Sequence, residues 1–123
     1  MTAEAERSAQ QAVLAKAYEA VNAQDLVGVR DTLHPDATWP DTLEGGRLHG
    51  REAILAHFEQ LFALTRPNIQ LIRIVGETDG ALDVEVQLLV QDHKGHIWSD
   101  TRARLTYRFA DSLLSDVIIL SGV

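Results

Sequence analysis

Apolar residues recur at helical spacing in the first half of the chain and at strand spacing in the second. Leu14, Ala17, Tyr18 and Val21 fall within about 100° of one another at 100° per residue, which predicts an amphipathic helix over 4–23. Asp25 suits the N-cap of a short second helix with Leu26, Val29 and Leu33 inward. His34-Pro35 ends that helix, because a residue before proline avoids the helical region. Residues 37–41 read as extended, Gly45-Gly46 as a turn and Arg47–His49 as a short returning strand. After Gly50 a third helix is expected over about 51–65, with Ile54, Phe58, Leu61 and Phe62 as its apolar stripe.

Residues 68–76, 81–91, 96–109 and 115–121 are rich in Val, Ile, Leu and Tyr and read as strands. Helices followed by a meander of strands define an α+β class, with the helices on one face of a curved, mostly antiparallel sheet. A turn at Asp92–Gly95 would oppose Glu85 to Arg102, Asp83 to Arg104 and Leu89 to Trp98. The other face would pair Val86 with Thr101, Val84 with Ala103 and Leu82 with Leu105. One face is then almost wholly apolar and the other carries matched charges, a pattern that a one-residue slip destroys.

Composition narrows the function. The 123 residues, 46% hydrophobic and 24% charged, suit one globular domain over 1–123. Eleven Lys and Arg against 18 Asp and Glu leave a net charge of −7. That balance argues against nucleic acid, whose phosphates need clustered cations. Without cysteine there is no disulfide framework, thiolate nucleophile or cysteine-based zinc site. No apolar run approaches the roughly 20 residues of a membrane helix, so no membrane association is expected. The N-terminus is polar and acidic, unlike a secretory signal, so a cytoplasmic location is expected.

Three stretches carry a resemblance: Asn22-Ala23-Gln24-Asp25-Leu26 with Gly28, Leu33-His34-Pro35-Asp36-Ala37-Thr38, and His49-Gly50-Arg51-Glu52-Ala53-Ile54. With them the chain resembles the SnoaL-like branch of the nuclear transport factor 2-like (NTF2-like, cystatin-like) superfamily. That group includes ketosteroid isomerases, polyketide cyclases and limonene epoxide hydrolases. The resemblance implies a cone, in which a curved sheet wraps a long helix around a cavity, and often a homodimer. It implies function weakly, since this fold hosts many activities.

Asp41 is the sharpest catalytic candidate. Asp36-Ala37-Thr38-Trp39-Pro40-Asp41 has the spacing of the isomerase stretch that ends in the proton-shuttling aspartate. In an extended segment Trp39 and Asp41 share a side, so the indole would desolvate the carboxylate and raise its pKa. The competing reading is a loop aspartate that starts the turn through Gly45. The isomerase resemblance also implies a tyrosine on the first helix and an acid on a late strand. Those positions carry Ala17 and Leu105, which leaves no recognisable oxyanion hole. Tyr18 is one residue away, rotated by about 100°.

His57 lies at the edge of the third helix's apolar stripe, as a general base facing the cavity or as a structural histidine. Tyr18, Trp39, His57, Leu105 and Tyr107 are the expected cavity-shaping residues. His93 and His96 flank a hairpin tip, a poor place for converging metal ligands, so no metal site is expected. Asp100, Arg102 and Arg104 point to the charged face, away from the interior. Leu89, Trp98 and Arg102 on that face suit a homodimer contact. No glycine-rich phosphate loop is present, no Ser-His-Asp set can be assembled from spacing, and no cofactor is expected.

The leading expectation is a pocket protein for a small hydrophobic molecule. It would run acid–base isomerase, cyclase or hydrolase chemistry on a carbonyl or epoxide compound, with Asp41 moving the proton. The alternatives are a non-catalytic ligand-binding or dimeric assembly domain, and a module that binds another protein through its outer sheet face. A pocket of about 300 Å³ or more with Asp41 on its wall would favour the first.

Overall fold

Helix α1 (Ala3–Asn22) turns Leu14, Ala17 and Tyr18 inward, the face that its periodicity predicts. The computed structural model describes residues 3–121. A short α2 (Leu26–Thr32) follows, then β1 (Leu33–Pro40), β2 (Arg47–His49) and α3 (Arg51–Leu64). Four long strands complete the chain: β3 (Arg66–Thr78), β4 (Ala81–Gln91), β5 (Ile97–Ala110) and β6 (Leu113–Ser121). They form one curved sheet in the order β2-β1-β6-β5-β4-β3. Only β1 against β6 is parallel; the other neighbours are antiparallel. Leu14 and Tyr18 from α1, Ile54 and Phe58 from α3, and Val84, Val86, Leu105 and Tyr107 from the sheet meet in one apolar core.

The Asn22–Gly28 stretch works as a clamp on this scaffold. Asn22 accepts from Ile69 N at 2.7 Å and donates to Ile69 O at 2.9 Å, completing backbone bonds of β3. Gln24, at φ 57°, sends its amide to Phe62 O and Thr65 O and so covers carbonyls at the end of α3. Asp25 caps α2 through Gly28 N at 3.1 Å. A side chain at position 28 would place its Cβ 2.8 Å from both Ala20 Cβ and Asp25 Oδ2, so glycine is needed for close approach.

Two expectations need correction. Strand β1 starts at Leu33, four residues earlier than the expected 37, because Leu33 pairs with Leu114 of β6 and His34-Pro35 continues as strand. In the β4–β5 hairpin Glu85 faces Arg104, Asp83 faces Thr106 and Leu89 faces Asp100. Val86 faces Ala103, Val84 faces Leu105 and Leu82 faces Tyr107. Each pairing lies two residues from the expected one. A turn one residue longer and a one-residue bulge at Trp98 together give the shift: Asp92 Oδ1 accepts from Lys94 N at 2.8 Å and His96 N at 2.9 Å, and Asp92 N donates to His96 O. Trp98 falls in a bulge between the Val90–Ser99 and Gln91–Ile97 pairs, not opposite Leu89. An even shift keeps each side chain on its face, so the apolar inner surface survives.

Candidate functional site

Between α1, α3 and the inner sheet face lies a cavity of about 150 Å³. Tyr18, Trp39, His57, Leu105 and Tyr107 all line it. Trp39 packs edge-on against Phe58 at 6.2 Å between ring centres and lies 6.3 Å from Tyr107. Among the described residues no Lys, Arg, Asp or Glu reaches the wall. Polarity comes from Tyr18, Thr32, Thr42, His57 and Tyr107.

Tyr18 donates its hydroxyl to the Tyr107 hydroxyl at 2.9 Å, and both side chains are buried. Burial pushes both phenols well above their ordinary range, because a phenolate would be desolvated there. For Tyr18 the neighbouring Tyr107 adds to the rise. The pair stays protonated across ordinary pH. The oxygen of Tyr107 accepts from Tyr18, which leaves the Tyr107 hydroxyl hydrogen for a guest. Ala17 and Tyr18 both line the cavity, so a rotation of one residue does not take the phenol out of it. The alternation of β5 already put Tyr107 inward; the contact between residues so far apart in sequence had no local signal.

Asp41 follows the end of β1 and is not on the cavity wall. Its Oδ1 accepts from Leu43 N at 3.0 Å and Glu44 N at 2.9 Å, while its backbone bonds to Gly45 and Gly46 close the loop. The amide of Glu44 is the main influence on the carboxyl and holds it below its usual range; partial desolvation opposes this, and the Leu43 amide and His57 add to it. The expected rise in pKa is therefore reversed: the strand ends at Pro40, and the loop's own N–H groups solvate the anion.

His57 connects this loop to the cavity. Its Nδ1 lies 3.7 Å from Asp41 Oδ1, and its Nε2 lies 3.3 Å from Thr42 Oγ1. Burial lowers the imidazole's pKa, and the Asp41 charge partly offsets that. Burial thus favours the uncharged ring beside the Asp41 carboxylate. Thr42 had not stood out in the sequence; its role depends on a loop that carries it beside a helix residue fifteen positions away.

The remaining histidines lie elsewhere. His34 sits in β1, accepting from Asp36 N and bonding Asp111 at 3.2 Å. His93 bonds Ala63 O, and His96 bonds Asp92. No group of three metal-binding side chains gathers among the described residues. No helix among them is long and apolar enough to cross a membrane.

The model of the SnoaL-like domain family matches residues 14–116. The chain belongs to that family. Its fold is the NTF2-like cone, similar to that of solved structures. The Δ5-3-ketosteroid isomerase of a Mycobacterium species superposes with TM-score 0.80 at 16% identity, covering 92% of each chain. A Mycobacterium tuberculosis protein in complex with estradiol-17β-hemisuccinate gives 0.79 at 18% identity, covering 92% of this chain and 93% of that one. An epoxide hydrolase of the same organism gives 0.77 at 12% identity, over 89% and 80%. Comparison with curated proteins gives no match. At these identities the likeness establishes the fold.

Proposed function

We propose that this SnoaL-like domain takes a small, flat, uncharged compound bearing a carbonyl, enol or phenol into its cavity and transfers a proton on it. The carrying observation is the Tyr18–Tyr107 hydroxyl pair inside an otherwise apolar, charge-free wall. A wall without cations disfavours carboxylate or phosphate guests, whose desolvation would go uncompensated. An apolar cavity near 150 Å³ suits a guest of one or two rings. The paired phenols would hydrogen-bond the guest oxygen as charge develops on it. Asp41 and His57 would supply the base. Isomerase, cyclase or epoxide-opening chemistry falls within this class, in keeping with the isomerase and hydrolase relatives.

The test is hydrogen exchange at the α-carbon of 2-indanone in deuterated water, followed by proton NMR, with binding measured by calorimetry. Catalysed exchange that collapses in Tyr107→Phe supports the reading. Binding without exchange would support passive ligand holding. A second reading, a non-catalytic assembly domain, is favoured by a volume below the roughly 300 Å³ usual for ligand pockets and by Asp41 lying off the wall.

For assembly, we propose a homodimer through the outer sheet face around Leu89, Trp98 and Arg102. Ile97 and Trp98 are 62% and 61% exposed there, more apolar surface than a monomer needs to leave open. Glu85 opposite Arg104 balances the charge on that face.

A further inference from the structure

We infer that His57 is the group that receives the substrate proton, with Asp41 acting through it as a positioning residue and Thr42 holding its second nitrogen. The inference rests on the proton-transfer reading above and deepens it.

Three observations carry it. First, His57 and Thr42 line the cavity and Asp41 does not. Second, the Asp41 carboxylate already accepts two backbone amides through Oδ1, and that same atom faces His57 Nδ1 at 3.7 Å. A carboxylate anchored in this way is a fixed charge rather than a mobile base. Third, the imidazole is bracketed: Nδ1 toward Asp41, Nε2 toward Thr42 Oγ1 at 3.3 Å, and its ring edge-on to Phe58 at 5.9 Å. With the proton on Nδ1 beside the anion, the Nε2 lone pair becomes the basic site. The Thr42 hydroxyl donates to that lone pair at a long distance and is readily displaced by a guest.

The step balances without a co-reactant. The α C–H bond of the guest breaks and an N–H bond forms at Nε2. The C–H electron pair becomes the C=C bond of the enolate, and the carbonyl π pair moves to oxygen, which accepts a hydrogen bond from the Tyr107 hydroxyl. Return of the proton to the same or a neighbouring carbon restores neutral His57. Asp41 stabilises the transient imidazolium and stays ionised throughout.

The experiment measures 2-indanone exchange in deuterated water with wild type, His57→Gln, His57→Gly with and without added imidazole, and Asp41→Asn. Circular dichroism checks that each variant folds. His57→Gln should lose about 100-fold or more in exchange rate, the usual share of a general base. Imidazole should restore part of that loss in His57→Gly. Asp41→Asn should lower kcat about tenfold with KM nearly unchanged, less than the loss of the base itself. It should also move the acid limb of the pH–rate profile to lower pH, because Asp41 is the one carboxylate within 4 Å of the imidazole among the described residues. A merely structural Asp41 would not move that limb. Exchange that survives in both His57 variants but vanishes in Asp41→Asn overturns the inference and leaves the proton-transfer reading standing, with Asp41 as the direct base. Wild type that binds 2-indanone without exchange overturns both.

Discussion

The Tyr18 hydroxyl donates to the Tyr107 hydroxyl at 2.9 Å, joining α1 to β5 across 89 residues of sequence. Their rings meet edge-on at 6.1 Å. This contact turns two core-facing phenols into an ordered donor chain inside an apolar space. It also gives the candidate site its polarity without introducing a charge.

Removing either end of the chain should have unequal costs. Tyr107→Phe strands the Tyr18 hydroxyl as a buried donor and should cost about 1–3 kcal/mol. Tyr18→Phe leaves Tyr107 only short of a donor and should cost about 1 kcal/mol. Urea denaturation of both variants and the double variant measures the coupling. Equal costs with no coupling would contradict the hydrogen bond.

The two tyrosines are the only ones in the chain, so alkaline titration reads this pair directly. Both folded-state pKa values are raised. The stabilisation they reflect is full below the unfolded phenol value of about 10 and is lost as pH rises above it. Near-ultraviolet absorbance should show no phenolate until unfolding, and the two transitions should coincide. A separate tyrosine ionisation in the native protein would count against burial of the pair.

The histidine on the cavity wall should titrate low. Its folded pKa is depressed, so the unfolded chain takes up a proton first as pH falls, and stability declines from about pH 6.5 downward. Asp41 opposes the depression, so Asp41→Asn should lower the His57 value further. Imidazole proton shifts, assigned with His57→Gln, measure both effects. An upward move in Asp41→Asn would show that the carboxylate does not reach the ring.

Glycine in a helix ordinarily costs about 1 kcal/mol against alanine. Gly28→Ala should nevertheless destabilise, by about 1–3 kcal/mol, because the new methyl meets Ala20 and Asp25 at 2.8 Å. Adding Ala20→Gly should recover part of the loss. Thermal melts of the single and double variants decide the sign.

Trp98→Ala should shift the protein from dimer to monomer in sedimentation equilibrium, since the indole is the largest exposed apolar group on the outer face. A wild type that sediments as a monomer removes the homodimer proposal.

Much of this fold was legible before any coordinates. Helical spacing around Leu14 and Tyr18, the Asp25 cap, the Arg47–His49 strand and the apolar alternation of β4 and β5 are local properties, and all reappear in the structure. Side-chain parity survived even where the pairing did not. Face depends on a period of two, and the turn at Asp92 with the Trp98 bulge changed the pairing by two residues.

Sequence alone determined the element types, the inward faces and the family resemblance, because periodicity and capping depend on near neighbours. Tertiary structure decided the arrangement of the candidate site. It paired Tyr18 with Tyr107, set His57 between Asp41 and Thr42, and gave the Asp41 carboxylate backbone partners in place of an apolar wall. Those outcomes depend on distances between residues far apart in sequence, and on which groups solvate a charge once the chain has closed around it.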